Sequence, residues 1–179
     1  MSLKNHARAL ILVGLSSLVL TSCAELIVVG AATGAVATQD QRTIPTQLED
    51  ENIEIKTVNA LFKNDELWKD TNIDVLSFNN ILLLIGQAPT AKLKQKAGDL
   101  AENIAKVRKV YNQIKISAPI SFFARRNDEY LTTKVKSKML FADNFPSGKI
   151  KVVTENSEVF LLGLVSQDEA DKAAEIAKT

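Results

Sequence analysis

Cys23 is the only thiol in this 179-residue sequence and His6 the only imidazole. Both sit within a stretch built for export. Lys4 and Arg8 precede an apolar run, Ala9 to Leu20 (ALILVGLSSLVL), and Thr21 and Ser22 lead from it to the cysteine. A basic start, a short apolar segment and small residues before a cut site make a secretory signal. The run falls short of the roughly 20 apolar residues of a spanning helix, and Ser16 and Ser17 interrupt it. Cleavage before Cys23 removes His6, so a histidine-based triad and Cys–His zinc sites lose their residues. The acids Asp65-Glu66 and Asp168-Glu169 fall at expected helix termini, where carboxylates are solvated or capping. Gly30 and Gly34 lack the lysine and the strand-to-helix setting of a phosphate loop. No catalytic residue, metal or cofactor is expected, and the chain does not read as an enzyme.

What remains is the chemistry of the thiol itself. Leu20-Thr21-Ser22-Cys23 resembles a bacterial lipobox, in which the cysteine is diacylated and becomes the first residue after cleavage. The other reading is an ordinary signal with a spare thiol, an odd feature in an oxidising compartment. One acyl chain holds a protein only marginally and two or more hold it stably, so a triacylated Cys23 is a membrane anchor. Ala24 follows it rather than Asp. The sorting rule of similar bacterial lipoproteins implies the outer membrane, on its periplasmic face.

Removing residues 1–22 takes away Lys4 and Arg8 and no acid, leaving 20 basic against 21 acidic residues, a net charge of −1. So even a balance does not suggest nucleic-acid binding. Residues 24–37 (AELIVVGAATGAVA) are small and apolar. They read equally as a segment near the lipid surface or as a flexible tether. Thr38 to Asp50 is polar, contains Pro45 and reads as linker.

Behind the linker lies an internal repeat. At a constant offset of 77 residues, Ile73 falls on Ile150, Val75 on Val152, Asn79 on Asn156, Leu84 on Leu161 and Gly86 on Gly163. Val58 falls on Val135 upstream and Ala97 on Ala174 downstream. Each copy begins with a helix, its core face being Ile55, Val58, Leu61 and Phe62 in the first and Leu131, Val135, Met139 and Ala142 in the second. An alternating strand follows, then a hairpin turn at Asn79-Asn80 or Asn156-Ser157. Continuous apolar runs come next, Ile81–Ile85 and Val159–Leu162, suited to a strand covered on both faces. A second helix carries Leu93, Ala97, Leu100, Ala101 and Ile104, with Ser166 and Glu169 as a capping box in copy two. Val110 to Ile116 closes copy one as a third strand. The predicted fold is α+β: two tandem units, each helix-strand-strand-helix-strand with a small three-stranded mixed sheet.

Several stretches carry a family resemblance. They are Leu83-Leu84-Ile85-Gly86-Gln87, Val110-Tyr111-Asn112-Gln113-Ile114, Thr132-Thr133-Lys134-Val135, Lys151-Val152-Val153-Thr154-Glu155-Asn156, Glu158-Val159-Phe160-Leu161 and Gly163-Leu164-Val165. The repeat resembles the BON domain, and two such domains behind a lipobox resemble a family of outer-membrane lipoproteins. The expected layout is a signal peptide at 1–22, an acylated N-terminus and linker at 23–46, a first domain at 47–118, a linker at 119–128 and a second domain at 129–179. The resemblance implies binding of anionic phospholipid through the second domain and a role in outer-membrane integrity. By the 77-residue offset copy two would run to about residue 193, so its last helical turns and third strand are expected to be missing at Thr179. An open edge on the Val159–Leu162 strand would then invite pairing with another chain.

The first helix of copy two offers a surface for that function. At about 100° per residue, Tyr130, Lys134, Ser137 and Phe141 share a face, with Thr133 and Leu140 beside it. Arg125 and Arg126 lead into it, and Lys136 and Lys138 flank it. From Arg125 to Phe141 five basic residues stand against two acids, Asp128 and Glu129. Aromatic rings can sit at headgroup level while lysines meet phosphate, which makes Tyr130, Thr133, Lys134, Ser137, Lys138 and Phe141 the candidate phospholipid-binding residues. The outer face of the equivalent helix in copy one has Lys56, Asn59, Ala60 and Lys63 and is expected to lack aromatics. Two alternatives stay open: Tyr130 and Phe141 pack against copy one, or the same face binds an envelope protein.

Overall fold

The computed structural model describes residues 40–178, which leaves Cys23, the signal and the segment at 24–37 outside the described residues. Copy one comprises α1 (Ile44–Phe62), α2 (Asp65–Asp70), β1 (Asn72–Phe78), β2 (Ile81–Ala88), α3 (Ala91–Glu102), β3 (Lys109–Asn112) and β4 (Lys115–Ile116). Copy two comprises α4 (Phe122–Leu140), a short 3-10 turn, β5 (Ile150–Glu155), β6 (Glu158–Gly163) and α5 (Gln167–Lys178). Both belong to one compact unit.

In copy one β1 and β2 form an antiparallel hairpin, and β3 and β4 both run parallel to β2 along its other edge. The expected single strand over 110–116 is thus interrupted at Gln113 and Ile114, with the same register to β2 on both sides of the break. In copy two β5 and β6 pair antiparallel in a two-stranded sheet among the described residues. Both hairpins turn through the expected dipeptides, with φ of 52° and 62° at Asn79 and Asn80 and 51° and 62° at Asn156 and Ser157. Two left-handed central residues give the turn the twist of its flanking strands.

The strand β2 is buried along nearly its whole length, for a reason visible in the side-chain alternation. Leu82, Leu84 and Ala88 face α1 and α3, with Ile53, Leu61, Leu93 and Ala97. Leu83 and Ile85 point the other way, with Leu76, onto Val153, Phe160 and Leu162 of copy two. The two sheets therefore pack back to back with their helices outside. Val135, Met139, Ile150, Val152 and Ala173 make the separate core of copy two. Gln87, fully buried, ties the halves together: its amide nitrogen donates to Glu155 and its oxygen accepts from Asn72 Nδ2 at 3.1 Å and Ile120 N at 3.2 Å.

The structure corrects the predicted core face of α1. Ile55, Val58 and Phe62 point outward, and the buried residues are Asp50, Ile53, Thr57 and Leu61. The cause lies in the repeat offset. Asp50 and Asp128 each accept both backbone N–H groups of their hairpin turn, an offset of 128 − 50 = 78. The turns keep 156 − 79 = 77, and the next helix caps, Thr90 and Ser166, are 76 apart. Copy two is one residue shorter at each connection, and one residue rotates a helix by about 100°. Aligned at 78, buried Thr57 and Leu61 fall on buried Val135 and Met139, and Val58 is not the partner of Val135. Aligned at 76, buried Ala97 falls on buried Ala173 rather than on Ala174. α5 spans 12 residues, as α3 does, so the expected loss of helical turns is not seen among the described residues.

Both stretches read as linker prove helical in part. Pro45 sits in the first turn of α1, where a missing N–H costs nothing. Residues 122–128 belong to α4, which starts on Ser121: its hydroxyl accepts Ala124 N at 3.2 Å.

Candidate functional site: the outward face of α4

The inner face of α4 places Asp128, Val135 and Met139 against β5 and α5, with Leu131 and Ala142 half-buried beside them. This is the core face that the spacing predicts. It fixes the rotation of the helix, so Tyr130, Thr133, Lys134 and Ser137 are exposed, Lys138 is half-buried, and Phe141 is exposed at the C-cap. Tyr130 is 65% exposed and Phe141 81%, so neither ring is packed against copy one. Thr133 is held locally, its hydroxyl donating to Glu129 O at 3.0 Å.

The face is longer than the spacing from Tyr130 onward indicates. Phe122 and Phe123 extend it at the N-terminal end, their rings edge-to-face at 5.9 Å, and Phe123 is 83% exposed. The Arg126 guanidinium lies 5.2 Å from the Phe122 ring centroid and pairs with Glu129 at 2.8 Å. The two phenylalanines were hidden in the supposed linker, and the signal that reveals them is Ser121 as a helix N-cap. Phe123, Tyr130, Lys134 and Phe141 lie within about 40° of one another around an axis of 19 residues, or roughly 28 Å. Such a helix can lie flat with rings at both ends and basic groups between them.

The expected contrast between the copies does not hold. Copy one also exposes aromatic surface: Phe62 and Trp68 meet edge-to-face at 4.7 Å, both more than half exposed. What distinguishes α4 is its basic groups. The sequence of α1 carries Glu49, Asp50, Glu51 and Glu54 against the single base Lys56, the reverse of the balance on α4.

Glu66 and Glu169, two of the carboxylates at helix termini, have structural roles. Glu66 pairs with Lys96 at 2.7 Å, and Glu169 pairs with Lys149 at 2.9 Å while closing the capping box with Ser166. Each lysine holds its carboxyl below the usual range. Glu155 is different. Burial pushes its carboxyl up, as do the charges of Asp74 and Asp128, against the Gln87 amide and Arg125. Among the described residues no group of three or more His, Cys, Asp or Glu side chains is placed to hold a metal ion. No helix there is long and apolar enough to cross a membrane.

Comparison with known proteins fits this architecture. The profile of the BON domain matches residues 49–118 and again 127–179. The chain is 38% identical over 177 residues to the outer membrane lipoprotein DolP of Haemophilus influenzae, covering 99% of this chain and 91% of that protein. It is 38% identical over 139 residues to the 21 kDa hemolysin of Actinobacillus pleuropneumoniae, covering 78% and 72%. To the osmotically-inducible protein Y of Escherichia coli it is 29% identical over 134 residues, covering 73% and 66%.

Proposed function

The chain belongs to the BON-domain family, and on that premise we propose that it is a lipid-anchored envelope protein whose second unit docks on anionic phospholipid through the outward face of α4. It is an outer-membrane lipoprotein, held by acylated Cys23. Its role is binding, in support of envelope integrity, and carries no chemistry of its own.

The observation that carries this reading is the combination on α4. Phe122, Phe123, Tyr130 and Phe141 are exposed on the same helix as Lys134, which shares the stripe of Phe123, Tyr130 and Phe141, and the helix is fixed by its opposite face. These rings lie outside the core clusters of the described fold, and a membrane interface accommodates apolar and amphipathic rings. Each Lys or Arg near an anionic surface contributes on the order of 1 kcal/mol, declining with salt. Burying a ring adds up to roughly 1.5–3 kcal/mol where dehydration is complete, and less at an interface. Because the anchor already holds the chain at the membrane, modest intrinsic affinity suffices.

The test is co-sedimentation of residues 24–179, which lack the acylated cysteine, with vesicles of neutral lipid and of neutral lipid mixed with anionic lipid. Retention on the anionic vesicles alone supports the reading. Equal recovery on both, or on neither, refutes it and leaves an envelope protein as the partner of this face.

A further inference from the structure

The apolar spacing along α1 is real, but it faces outward. Ile44, Leu48, Ile55, Val58 and Phe62 are between 45% and 74% exposed on a helix whose opposite face already fills the core. With Glu51 they recur at steps of 4, 3, 4, 3 and 4 residues. That is the 3.5-residue period of a seam that packs against another helix. Trp68, edge-to-face on Phe62, widens its C-terminal end. A row of five large apolar side chains, broken once at Glu51, is more than a lone exposed leucine and marks an interaction surface. Glu49, Asp50 and Glu54 of this helix are paired with Lys106, Arg42 and Lys151, and Glu51 stands exposed on the seam itself. That charge opposes an anionic lipid surface and favours an occupant with a basic centre.

This protein carries such a helix. The outward face of α4 has the same length, 19 residues, with aromatic ends and a basic middle. Laid antiparallel so that paired residue numbers sum to 185, Ile44 meets Phe141, Glu51 meets Lys134, Ile55 meets Tyr130 and Phe62 meets Phe123. Apolar ends match apolar ends, and the acid on the seam meets a base. We propose that the outward stripe of α1 docks α4 of a second copy of this chain, head to tail. The inference takes from the lipid reading only the accessibility of α4. Its consequence is competition: an α4 seated on a neighbour is withdrawn from lipid. Such a contact is heterologous and extends or closes according to its rotation.

The test uses the full chain in its own envelope. With Cys23 acylated, introduced cysteines are the only free thiols. Two differently tagged chains are co-expressed, one with Ile55→Cys and one with Tyr130→Cys, and treated with a short bismaleimide. The expected product is a dimer carrying both tags. It should fall to the background given by Ile55→Cys with Lys92→Cys, Lys92 being exposed on α3, when Glu51→Lys is added to the first chain. Adding Lys134→Glu to the second should restore it. A product no greater than background, or one indifferent to both charge changes, overturns the proposal. Vesicle binding by residues 24–179, which lack the acylated cysteine, separates it from the lipid reading: Glu51→Lys must leave recovery on anionic vesicles undiminished, whereas Lys134→Glu must lower it. Loss of vesicle binding in Ile55→Glu, with circular dichroism unchanged, would make the stripe a lipid contact and overturn self-docking.

Discussion

Asp50 and Asp128 hold the same station in the two units: each reaches from the first helix and accepts both N–H groups of its hairpin turn. The distances are 2.7 Å to Asn79 N and Asn80 N in copy one and 2.8 Å to Asn156 N and Ser157 N in copy two. Asp50 also takes the Ser77 hydroxyl and the Arg42 guanidinium, each at 2.7 Å. The carboxylate thus locks helix rotation to strand register, and in copy two that rotation points the aromatic face of α4 outward.

Replacing either aspartate by Ala should leave two turn N–H groups without their partner. At about 1–3 kcal/mol for each fully buried group, about 6 kcal/mol is the ceiling for two. The loss should be smaller at Asp50, whose turn residues are half-buried, and smaller still at Asp128, whose turn residues are exposed, as measured by urea denaturation. Asp50 adds a pH dependence. Burial would raise its carboxyl, but hydrogen bonds from Ser77, Asn80, Arg42 and Asn79 outweigh burial and hold it low. A lowered folded value means stability present above the ordinary carboxylate range and lost as pH falls below it. Asp50→Asn should therefore be less stable than wild type at neutral pH, and the difference should shrink on acidification.

Glu155 has the opposite sign. Its carboxyl is pushed up by burial first, so the folded state favours the protonated form. That contribution is complete at acid pH and disappears as pH rises through the raised value. Glu155→Gln keeps an oxygen for the Gln87 amide and removes the charge. Melting temperatures should show the variant gaining on wild type from acid to neutral pH.

Gly86 and Gly163 are equivalent in the repeat but not in constraint. Gly86 sits at φ +112°, and a Cβ there would lie 2.1 Å from Asn72 O. At Gly163 the nearest atom would be Lys149 O at 2.8 Å. Gly86→Ala should cost more than about 2 kcal/mol, from an unfavourable φ and a backbone collision together, and Gly163→Ala should cost less. Denaturation of both variants checks the order.

Cys23→Ser should abolish acylation and leave an uncleaved precursor or a soluble form. Membrane fractionation after a high-salt wash reads this directly, and quantitative retention of the variant would mean that something other than lipid anchors the chain.

The features legible in the sequence are those with local causes. Asn79-Asn80 and Asn156-Ser157 announce their turns, Ser166 and Glu169 form the capping box, and the runs at 81–85 and 159–162 announce strands, the first buried on both faces and the second half-buried. The rotation of α1 was not legible, because its inner face carries Asp50 and Thr57 and its outer face the apolar row. Thr57 satisfies its hydroxyl on Ile53 O at 2.7 Å, so a polar residue sits in the core at little cost. The distinction depends on where the hairpin turn comes to rest, a tertiary fact. Phe122 and Phe123 were lost for a simpler reason, the Pro- and Ser-containing approach at 117–121 that resembles a linker.

The most direct measurement of the α4 account is vesicle co-sedimentation of residues 24–179, free of the acylated cysteine, as paired variants at low and high salt. Tyr130→Ser with Phe141→Ser removes two rings and should weaken binding to anionic vesicles at both salt concentrations, since ring burial is not screened. Lys134→Glu with Lys138→Glu should weaken it strongly at low salt and little at high salt. Val135→Asp, on the core face, should unfold the second unit by circular dichroism and serves as the control. Two folded surface variants that bind anionic vesicles as wild type does, at both salt concentrations, would contradict the assignment of this face to lipid.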